Sequence, residues 1–410
     1  MRVYKVKGDL RNKKKRTLMA VSVASMIDQF NLPNLELMQE AGYEVHVACN
    51  FKKGNTCDLT QIACLKARLE EMGVVCHQWD CPRSPCAVRA CIRAYQQLMS
   101  LERQYMFAWI HCQSPVGGAL ARITARRMGI RVLYTAHGFH FYRGAPWRNW
   151  VLFYPAEKLL ARWTDVLVTV NQEDYQLAKQ RFGAGRVERI AGIGIPIDRY
   201  TADDCERIKR KKMLCRKFKI PEDALVLLSV GELSKGKNHR LVLQALAGLG
   251  RQDIYYLICG QGSGKRRLQR YARRLGISNL LRMAGYQRDM PWIYHGSDLF
   301  VFPSVREGMP VALMEAMASG LPCVVSNIRG NRELIPDARL RFSPDCPWQL
   351  KDLLLQMTLD TNRREKYGRK NQENIRAYSL EVVQQKMRCI YQNMGNQHDA
   401  GRAAEQEMEG

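Results

Sequence analysis

Short apolar runs alternate with helical patterns along the first half of the chain. The runs are rich in β-branched and aromatic residues, which predicts buried strands. They are TLMAVSVA from Thr17, EVHVACN from Glu44, VVCHQ from Val74, FAWIH from Phe107 and RVLYTAH from Arg131. Between them we predict helices at about 33–42, 57–72 and 85–103, and a further helix in GALARITARRMG. Strands that alternate with helices predict a parallel sheet covered on both faces.

The same alternation starts again near Ala224. The second series consists of ALVLLSVGE, YYLICG, LLRMAG, LFVFPS and PCVVS, each followed by a helical pattern. The segment Tyr200–Pro221 is rich in charge and has no strand pattern, so we place a domain junction at its start. We therefore predict an α/β protein with two tandem Rossmann-like, doubly wound domains at 17–199 and 200–395.

Two further expectations follow from this organisation. Doubly wound sheets bind ligands beyond the carboxyl ends of their strands, so the cleft between the two domains is the expected ligand site. The polar segment 396–410 is expected to be a disordered tail. The pattern leaves open whether the last helix packs back on the N-terminal domain.

Basic residues far outnumber acidic ones. The 410 residues include 64 lysines and arginines against 39 aspartates and glutamates, a net charge of +25. This excess favours a polyanionic partner, which could be nucleic acid, an anionic membrane surface or a phosphorylated substrate. Part of the charge is clustered at 11–16, 207–219 and 265–274. The last cluster predicts a helix with arginines along one face, either solvated or turned toward a membrane.

Membrane contact is expected to be peripheral. No apolar run reaches the ~18 residues of a spanning helix, and no signal peptide is recognisable. The segment CAVRACIRAYQQLMS at 86–100, with Arg89 and Arg93 beside apolar residues, predicts either a docking helix or an ordinary packing helix. The 14 cysteines form no C-x-x-C pair, which favours reduced thiols in a cytosolic protein. No Asp-x-Asp motif is present, and we expect neither a metal nor another cofactor.

Two glycine-containing loops follow strands of the second series. In SVGELSKGKNH, Lys235 and Lys237 directly precede a helix, whose free N–H groups already attract anions. Lysines there oppose the helix dipole, so a phosphate-binding role explains them better than a structural one. In CGQGSGKRR, Gly260 and Gly262 suit either a plain turn or a close approach of a ligand to the backbone. Arginine follows the lysine where a triphosphate loop needs Ser or Thr, which argues against a kinase or an ATPase.

The stretch VREGMPVALMEAMASG places two glutamates in an otherwise apolar setting. Glu307 is predicted in a loop, and Glu315 on the helix that follows it. A helix start stabilises carboxylates, which explains one of the two better than the pair. Two carboxylates can accept hydrogen bonds from several hydroxyls while the lysines hold phosphates. A sugar nucleotide has this combination of groups.

These residues carry a resemblance to a known family. The second half resembles the nucleotide-binding domain of family-4 glycosyltransferases, through the E-x7-E motif at Glu307 and Glu315, the EGMP loop and GELSKGKNH. The first half resembles the acceptor domain of bacterial enzymes that build capsular and exopolysaccharide repeat units. The motifs there are VASMIDQFNLPNLELMQEAGYEVHVACNF, HCQSPVGGALAR and TAHGFHFYRGAPWRNW. The likeness covers about 18–394.

The resemblance implies a fold and an activity. The fold would be GT-B, with two Rossmann-like domains. The activity would be retaining, metal-independent transfer of a hexose or N-acetylhexosamine from a UDP-sugar. The acceptor would be a saccharide on polyprenyl diphosphate, reached by peripheral binding to the cytoplasmic leaflet of the plasma membrane.

The resemblance and the loop analysis together also assign site residues. The donor and nucleotide are assigned to Gly231, Lys235, Lys237, Gly260, Gly262, Gly308, Met309 and Glu315, catalysis to His137 and Glu307, and the acceptor to Asp28, Phe30, His111 and His140. Within this set the resemblance implies that Glu307 binds sugar hydroxyls and Glu315 the ribose. The family often has arginine directly after the first loop glycine, where this chain has Glu232. We therefore expect the diphosphate to depend mainly on Lys237.

Two other functions stay open on the sequence alone. An epimerase that acts on a sugar nucleotide could use the same scaffold and would release a modified nucleotide sugar without an acceptor. A basic protein that clamps nucleic acid would explain the charge. It would not explain Glu307 and Glu315, and no interleaved aromatic and basic stretch supports it.

Overall fold

The computed structural model describes residues 14–54 and 58–408, with side chains as far as residue 395. The chain divides into two compact units. The N-terminal unit runs up to Ile190 and takes in the chain again from Gln384, and the C-terminal unit spans Ala191–Val383. Residues 11–13 of the first basic cluster and Cys57, the predicted start of the second helix, lie outside the described residues.

The boundary between the units lies before the predicted junction at Tyr200. The reason is that the residues after Ile190 pack on the C-terminal unit. Ile195 forms a parallel β-bridge with Ser379, and the hydroxyl of Tyr200 donates to Glu315 at 2.7 Å. These contacts are formed by residues far apart in the chain, so composition alone gave the junction too late.

The N-terminal unit contains one parallel sheet of seven strands. The strands are β1 (Arg16–Val23), β2 (Glu44–Asn50), β3 (Val75–Gln78), β4 (Trp109–Gln113), β5 (Arg131–Ala136), β6 (Val166–Thr169) and β7 (Arg186–Arg189). Their order across the sheet is β3-β2-β1-β4-β5-β6-β7. The central strand β1 is buried from Thr17 onward, as expected for a strand that helices cover on both faces.

Helices connect these strands. They are α1 (Ala24–Phe30), α2 (Leu32–Glu40), α3 (Leu59–Glu71), α4 (Val88–Tyr105), α5 (Pro115–Met128), α6 (Trp147–Ala161) and α7 (Gln172–Arg181). Strand β1 passes directly into α1, so the stretch SVASMIDQFN is the end of a strand followed by a helix. No glycine interrupts this stretch, and its Ala, Met, Ile and Gln are compatible with a helix.

The C-terminal unit contains a second parallel sheet, of six strands. The strands are β8 (Leu225–Val230), β9 (Ile254–Cys259), β10 (Leu281–Gly285), β11 (Leu299–Phe302), β12 (Cys323–Ser326) and β13 (Arg341–Phe342). Their order is β10-β9-β8-β11-β12-β13. The helices are α8 (Asp204–Phe218), α9 (His239–Leu249), α10 (Lys265–Arg274), α11 (Pro291–His295), α12 (Val311–Ala318), α13 (Arg329–Leu334), α14 (Pro347–Leu359) and α15 (Thr361–Ile375). The strand order reverses direction beside β8, and such switch points are the usual ligand positions of doubly wound sheets.

The final helix, α16 (Leu380–Met408), belongs to the N-terminal unit from Gln384 on. The hydroxyl of Tyr391 lies 2.9 Å from Nδ1 of His111, and Arg388 pairs with Glu40 at 2.9 Å. The helix continues to Met408, through most of the segment that we predicted to be a disordered tail. The alanine and glutamate residues of that segment have high helix propensity, which a reading based on polarity overlooks.

Candidate active site

The loop from β8 to α9 carries the predicted phosphate-binding lysines. Nζ of Lys237 lies 2.5 Å from Oε1 of Glu307, and the two side chains are 27% and 15% exposed. Lys237 also lies over the ring of Phe302, at 5.3 Å from its centroid. The structure thus brings a cation and a carboxylate together at the carboxyl ends of β8 and β11. In the free protein each group neutralises the other.

The backbone around Glu307 is held by hydrogen bonds. Nε of the buried Arg329, the first residue of α13, donates to the carbonyl of Glu307 at 3.0 Å. The amide of Val305 donates to the carbonyl of Gly236 at 2.9 Å, which ties this loop to the lysine loop. A Cβ on Gly330 would collide with the Gly308 carbonyl. The EGMP loop is therefore fixed from two sides, and its peptide groups have defined positions.

Glu315 lies on α12, half-buried under two tyrosines. Its Oε1 accepts from the hydroxyl of Tyr200 at 2.7 Å, and its Oε2 accepts from the hydroxyl of Tyr294 at 2.8 Å. Burial raises the pKa of Glu315, and the two tyrosine hydroxyls act in the opposite direction. Each carboxylate oxygen has a donor and keeps further acceptor capacity. Sequence reasoning missed both tyrosines because neither belongs to the E-x7-E motif.

The glycines of the β9–α10 loop pack against the lysine loop. A Cβ on Gly260 would collide with the carbonyl of Gly231, and one on Gly262 would lie 2.8 Å from the backbone N and O of Leu233. The amide of Leu233 donates to the carbonyl of Gln261 at 2.8 Å. Gly260 and Gly262 therefore allow the two loops to pack with their backbones in close contact.

Lys235 lies apart from Lys237. It is exposed and lines a groove of about 450 Å³ between the start of α9 and α10. The groove also contains Arg240, Arg267, Arg270 and Arg274. Among the described residues none of these cations has a carboxylate partner, and Arg240 stacks on Tyr271 at 4.3 Å. The predicted arginine face of α10 is thus one wall of a strongly basic groove.

In the N-terminal unit the candidate residue His137 follows β5. Its Nε2 lies 2.7 Å from Oε1 of Gln113, and Nε2 of Gln113 donates to Oδ1 of Asn31 at 2.6 Å. The amide oxygen of Gln113 can only accept, so Nε2 of His137 carries the proton. Burial lowers the pKa of His137 to about 4. The imidazole is therefore neutral near pH 7, and Nδ1 makes no hydrogen bond to the described residues.

His111 is a structural residue of the sheet. It is fully buried on β4. Nε2 lies 2.8 Å from the hydroxyl of Thr135, and Nδ1 lies 2.9 Å from the hydroxyl of Tyr391. Burial and the nearby His137 lower the pKa of His111 to about 3. A buried ring with both nitrogens occupied does not reach a saccharide, so the assignment of His111 to the acceptor is wrong as a direct contact.

The other candidate acceptor residues are nearer the surface. Asp28 is exposed on α1, and Phe30 at the end of that helix is half-buried. His140 is half-buried, its ring lies 4.8 Å from that of Phe153, and its carbonyl accepts from Asn149 at 2.8 Å. Met309, of the EGMP loop, is half-buried and packs on the core of the C-terminal unit.

Neither a group of metal ligands nor a membrane-spanning helix occurs among the described residues. The described side chains contain no group of three or more His, Cys, Asp or Glu placed to hold a metal ion. Among the described helices, none has the length and apolar character that crossing a bilayer requires. The C-terminal site contains a lysine, two carboxylates and the N-terminus of α9.

Two family models match the chain, one for each half. A glycosyl transferase 4-like domain matches residues 34–192, and a model of glycosyl transferases group 1 matches residues 211–374. The first range contains His137, and the second contains Lys237, Glu307 and Glu315. The fold and the site thus define a sugar-transferring enzyme.

The chain belongs to the glycosyltransferases of the family-4 type. EpsD of Bacillus subtilis, named as a glycosyltransferase, is 35% identical over 337 residues, which are 80% of this chain and 83% of EpsD. An Escherichia coli relative is named UDP-Gal:α-D-GlcNAc-diphosphoundecaprenol α-1,3-galactosyltransferase. It is 29% identical over 245 residues, which are 58% of this chain and 62% of the relative.

Solved structures share the fold. HepE of Anabaena in complex with UDP-glucose has a TM-score of 0.71 and 17% identity, covering 91% of this chain and 98% of HepE. WaaG, a glycosyltransferase involved in lipopolysaccharide biosynthesis, has a TM-score of 0.69 and 16% identity, covering 92% of this chain and 99% of WaaG. At these identities the likeness shows the fold, which is GT-B, as the family resemblance implied.

Proposed function

We propose that the protein is a retaining glycosyltransferase that moves a hexose or N-acetylhexosamine from a UDP-sugar to a saccharide on polyprenyl diphosphate. The process would be capsule or exopolysaccharide biosynthesis at the cytoplasmic leaflet of the plasma membrane. The observation that carries the proposal is the pair of Lys237 and Glu307, 2.5 Å apart, with Glu315 on the helix that follows. A sugar nucleotide offers phosphates to the lysine and hydroxyls to both carboxylates.

Donor binding would replace the ion pair by two sets of contacts. Lys237 would turn to the diphosphate, and Glu307 would accept hydrogen bonds from sugar hydroxyls. Glu315 would accept from the ribose hydroxyls while the tyrosines keep its oxygens in place. When the glycosidic bond breaks, charge builds up on the departing diphosphate, and a preorganised cation with the N-terminus of α9 stabilises it. In this proposal no metal is needed for the leaving group.

His137 would act as a neutral imidazole. Its Nε2 donates to Gln113, so the lone pair on Nδ1 can accept a hydrogen bond from a hydroxyl of the sugar. His111 would contribute indirectly, because it lies 3.5 Å from the same Gln113 amide. Asp28, Phe30 and His140 remain the proposed acceptor residues. Gly231, Gly308 and Met309 would supply backbone contacts to the donor.

The relatives support the choice of substrates. The name of the E. coli relative specifies a UDP-sugar donor and an acceptor on diphosphoundecaprenol, and HepE was crystallised with UDP-glucose. The net charge of +25 favours an enzyme that works beside anionic lipid. Together these points favour a UDP-sugar and a lipid-linked acceptor over a soluble one.

The first test is a calorimetric titration with UDP and with GDP, both in EDTA. We expect UDP to bind and GDP to bind more weakly. A screen of UDP-sugars with polyprenyl-diphosphate saccharides would then identify the substrates, and NMR of the product would show whether the anomeric configuration is retained. Release of a modified nucleotide sugar without acceptor would indicate an epimerase. Salt-sensitive binding of oligonucleotides that UDP does not disturb would contradict the proposal.

A further inference from the structure

Helix α6 has apolar side chains around its whole circumference. Trp150, Phe153 and Tyr154 pack against the core of the N-terminal unit. Four other large apolar side chains of the same helix are exposed: Trp147 by 70%, Val151 by 59%, Leu152 by 66% and Leu159 by 48%. No other helix in the described part of the chain exposes four. A surface helix normally has a polar outer face, and a helix apolar all round is typical of a protein core or a membrane.

The exposed residues form a continuous strip. Trp147, Val151 and Leu159 fall on one face because residues four apart in a helix are neighbours. Pro155, also exposed, fills the gap between them, and Leu152 lies alongside. From Trp147 to Leu159 the strip is about 18 Å long at 1.5 Å per residue. This shape suits a helix that lies flat on a surface.

Cations surround the strip. Arg148, Lys158 and Arg162 are exposed on or next to α6. The helix has one carboxylate, Glu157, and it forms an ion pair with the fully buried Arg122 of α5 at 2.6 Å. The outer face of α6 therefore combines apolar side chains with positive charge, and its single carboxylate is neutralised on the inner side.

Helix α6 is also fixed to the loop that carries the candidate acceptor residue His140. Asn149 donates to the carbonyl of His140 at 2.8 Å, and Phe153 contacts the His140 ring. Arg122 contacts both oxygens of Glu157, at 2.6 and 3.2 Å, which sets the helix on α5. A surface that binds α6 would thus lie close to the His137–His140 loop.

We propose that the outer face of α6 docks flat on an anionic lipid bilayer, with its apolar side chains among the headgroups and acyl chains. Tryptophan is favoured at this depth, and flanking lysine and arginine attract anionic lipid. The inference rests on the proposed function in that a lipid-linked acceptor requires the enzyme to work at a bilayer. The predicted docking helix α4 exposes only Val88 and Ile92 among its large apolar residues, by 62% and 52%. Helix α10 exposes arginines but no large apolar side chain.

The test is flotation of the full chain with vesicles of phosphatidylcholine, with and without phosphatidylglycerol. The variant Trp147→Ser with Leu152→Ser should lose at least tenfold in its partition to the mixed vesicles. A matched control is Trp348→Ser with Leu359→Ser on α14, where the two side chains are 62% and 68% exposed. This control should partition like the parent. All four positions are exposed, so both variants should fold.

Three results would overturn the inference. The parent chain would fail to float with the mixed vesicles, the α6 variant would float as well as the parent, or the α14 control would lose as much. Conversion of a dimer to a monomer by the α6 changes, with flotation unaltered, would assign the strip to a second copy instead. UDP titration of the α6 variant should match the parent, so a failure of the donor site is detected separately from a failure of docking.

Discussion

The polar cluster of the N-terminal unit is uncharged and buried except for the half-buried His137, whereas that of the C-terminal unit is an ion pair near the surface. Around His111 and His137, hydrogen bonds link neutral groups, and burial lowers the pKa of both imidazoles. Around Lys237 and Glu307, a lysine and a carboxylate stay partly exposed. The first arrangement is a fixed network of hydrogen bonds between neutral groups. The second consists of charged groups that can exchange their mutual contact for contacts with a ligand.

In the proposed function, this difference would separate two tasks of the enzyme. A diphosphate would be met by full charges that are desolvated only when it binds, and the partly exposed ion pair would provide them at little cost to the fold. A sugar hydroxyl would need a neutral acceptor in a fixed position, and the hydrogen-bonded chain from His137 through Gln113 to Asn31 would provide it. We therefore expect changes in the N-terminal cluster to affect stability and changes in the C-terminal cluster to affect UDP affinity.

Acidification should produce the largest difference in stability between the two units. Burial holds the folded-state pKa of His111 at about 3 and those of His77 and His137 at about 4, but in the C-terminal unit a value this low is found for His239, at about 4. As the pH falls, these histidines take up protons in the unfolded chain before they do so in the folded protein. The stability that depends on the neutral imidazoles is therefore complete above pH 6.5 and is lost as the pH falls toward 4. Each such histidine costs about 2 kcal/mol between pH 6.5 and 5.

The measurement is hydrogen exchange resolved by peptide at pH 7 and pH 5, corrected for the intrinsic rate. Protection of the N-terminal unit should fall more than that of the C-terminal unit. The variant His111→Gln should reduce the pH dependence in the N-terminal unit only, and His239→Gln should do so in the C-terminal unit only. Equal losses in both units at pH 5 would contradict the comparison.

Removal of Lys237 from the C-terminal cluster should have a large effect on UDP binding and a small effect on stability. A hydrogen bond to a charged group contributes about 1.5–3 kcal/mol, so Lys237→Ala should weaken UDP about 10- to 100-fold. The loss of a partly exposed ion pair should change the free energy of unfolding by about 1 kcal/mol or less. Calorimetric titration and urea unfolding give the two quantities.

The matched control is Lys235→Ala in the same loop. Lys235 is exposed in the basic groove and has no contact with Glu307, so its removal should weaken UDP less than about threefold, as for a screened surface charge. If Lys235→Ala weakened UDP more than Lys237→Ala, the diphosphate would belong in the basic groove. The assignment of Lys237 would then be wrong.

The sequence predicted what depends on neighbours in the chain. All five predicted strands of each series are present, because apolar runs between turns are local patterns. The strands β6, β7 and β13 were missed. Strands β7 (RVER) and β13 (RF) contain no apolar run, whereas β6 (VLVT) has one and was overlooked. Helix α6 was not predicted because a segment that is apolar on every face has no helical period. The sequence pattern therefore did not predict the outer face of α6 as a docking surface.

Contacts across long separations could not be predicted. The two halves of the C-terminal site follow from motifs whose order and spacing are specific. The partners of the site residues do not, because Tyr200 meets Glu315 across 115 positions and Tyr391 meets His111 across 280. Both are tyrosines in segments without a motif, and only the folded sheet brings them to their partners. A histidine at a strand end therefore looked the same whether it was a site residue or a structural one.

The smallest expected effect is that of Tyr200→Phe, which removes one donor from Glu315 and keeps the ring. The hydroxyl of Tyr200 opposes the rise in the pKa of Glu315 that burial causes. Without it, the pKa of Glu315 rises further, and the carboxylate takes up a proton at a higher pH. A protonated Glu315 accepts ribose hydroxyls less well, so on acidification the variant should bind UDP about three- to fivefold more weakly than the parent, the effect of one hydrogen bond. Titration with UDP across pH 5–8 should show that the variant loses affinity at a higher pH than the parent.

Tyr286→Phe, a change at an exposed tyrosine of the same unit, should leave the profile unaltered. Identical profiles for Tyr200→Phe and the parent would mean that Glu315 does not contact the nucleotide as an ionised carboxylate, and the ribose would then need another partner.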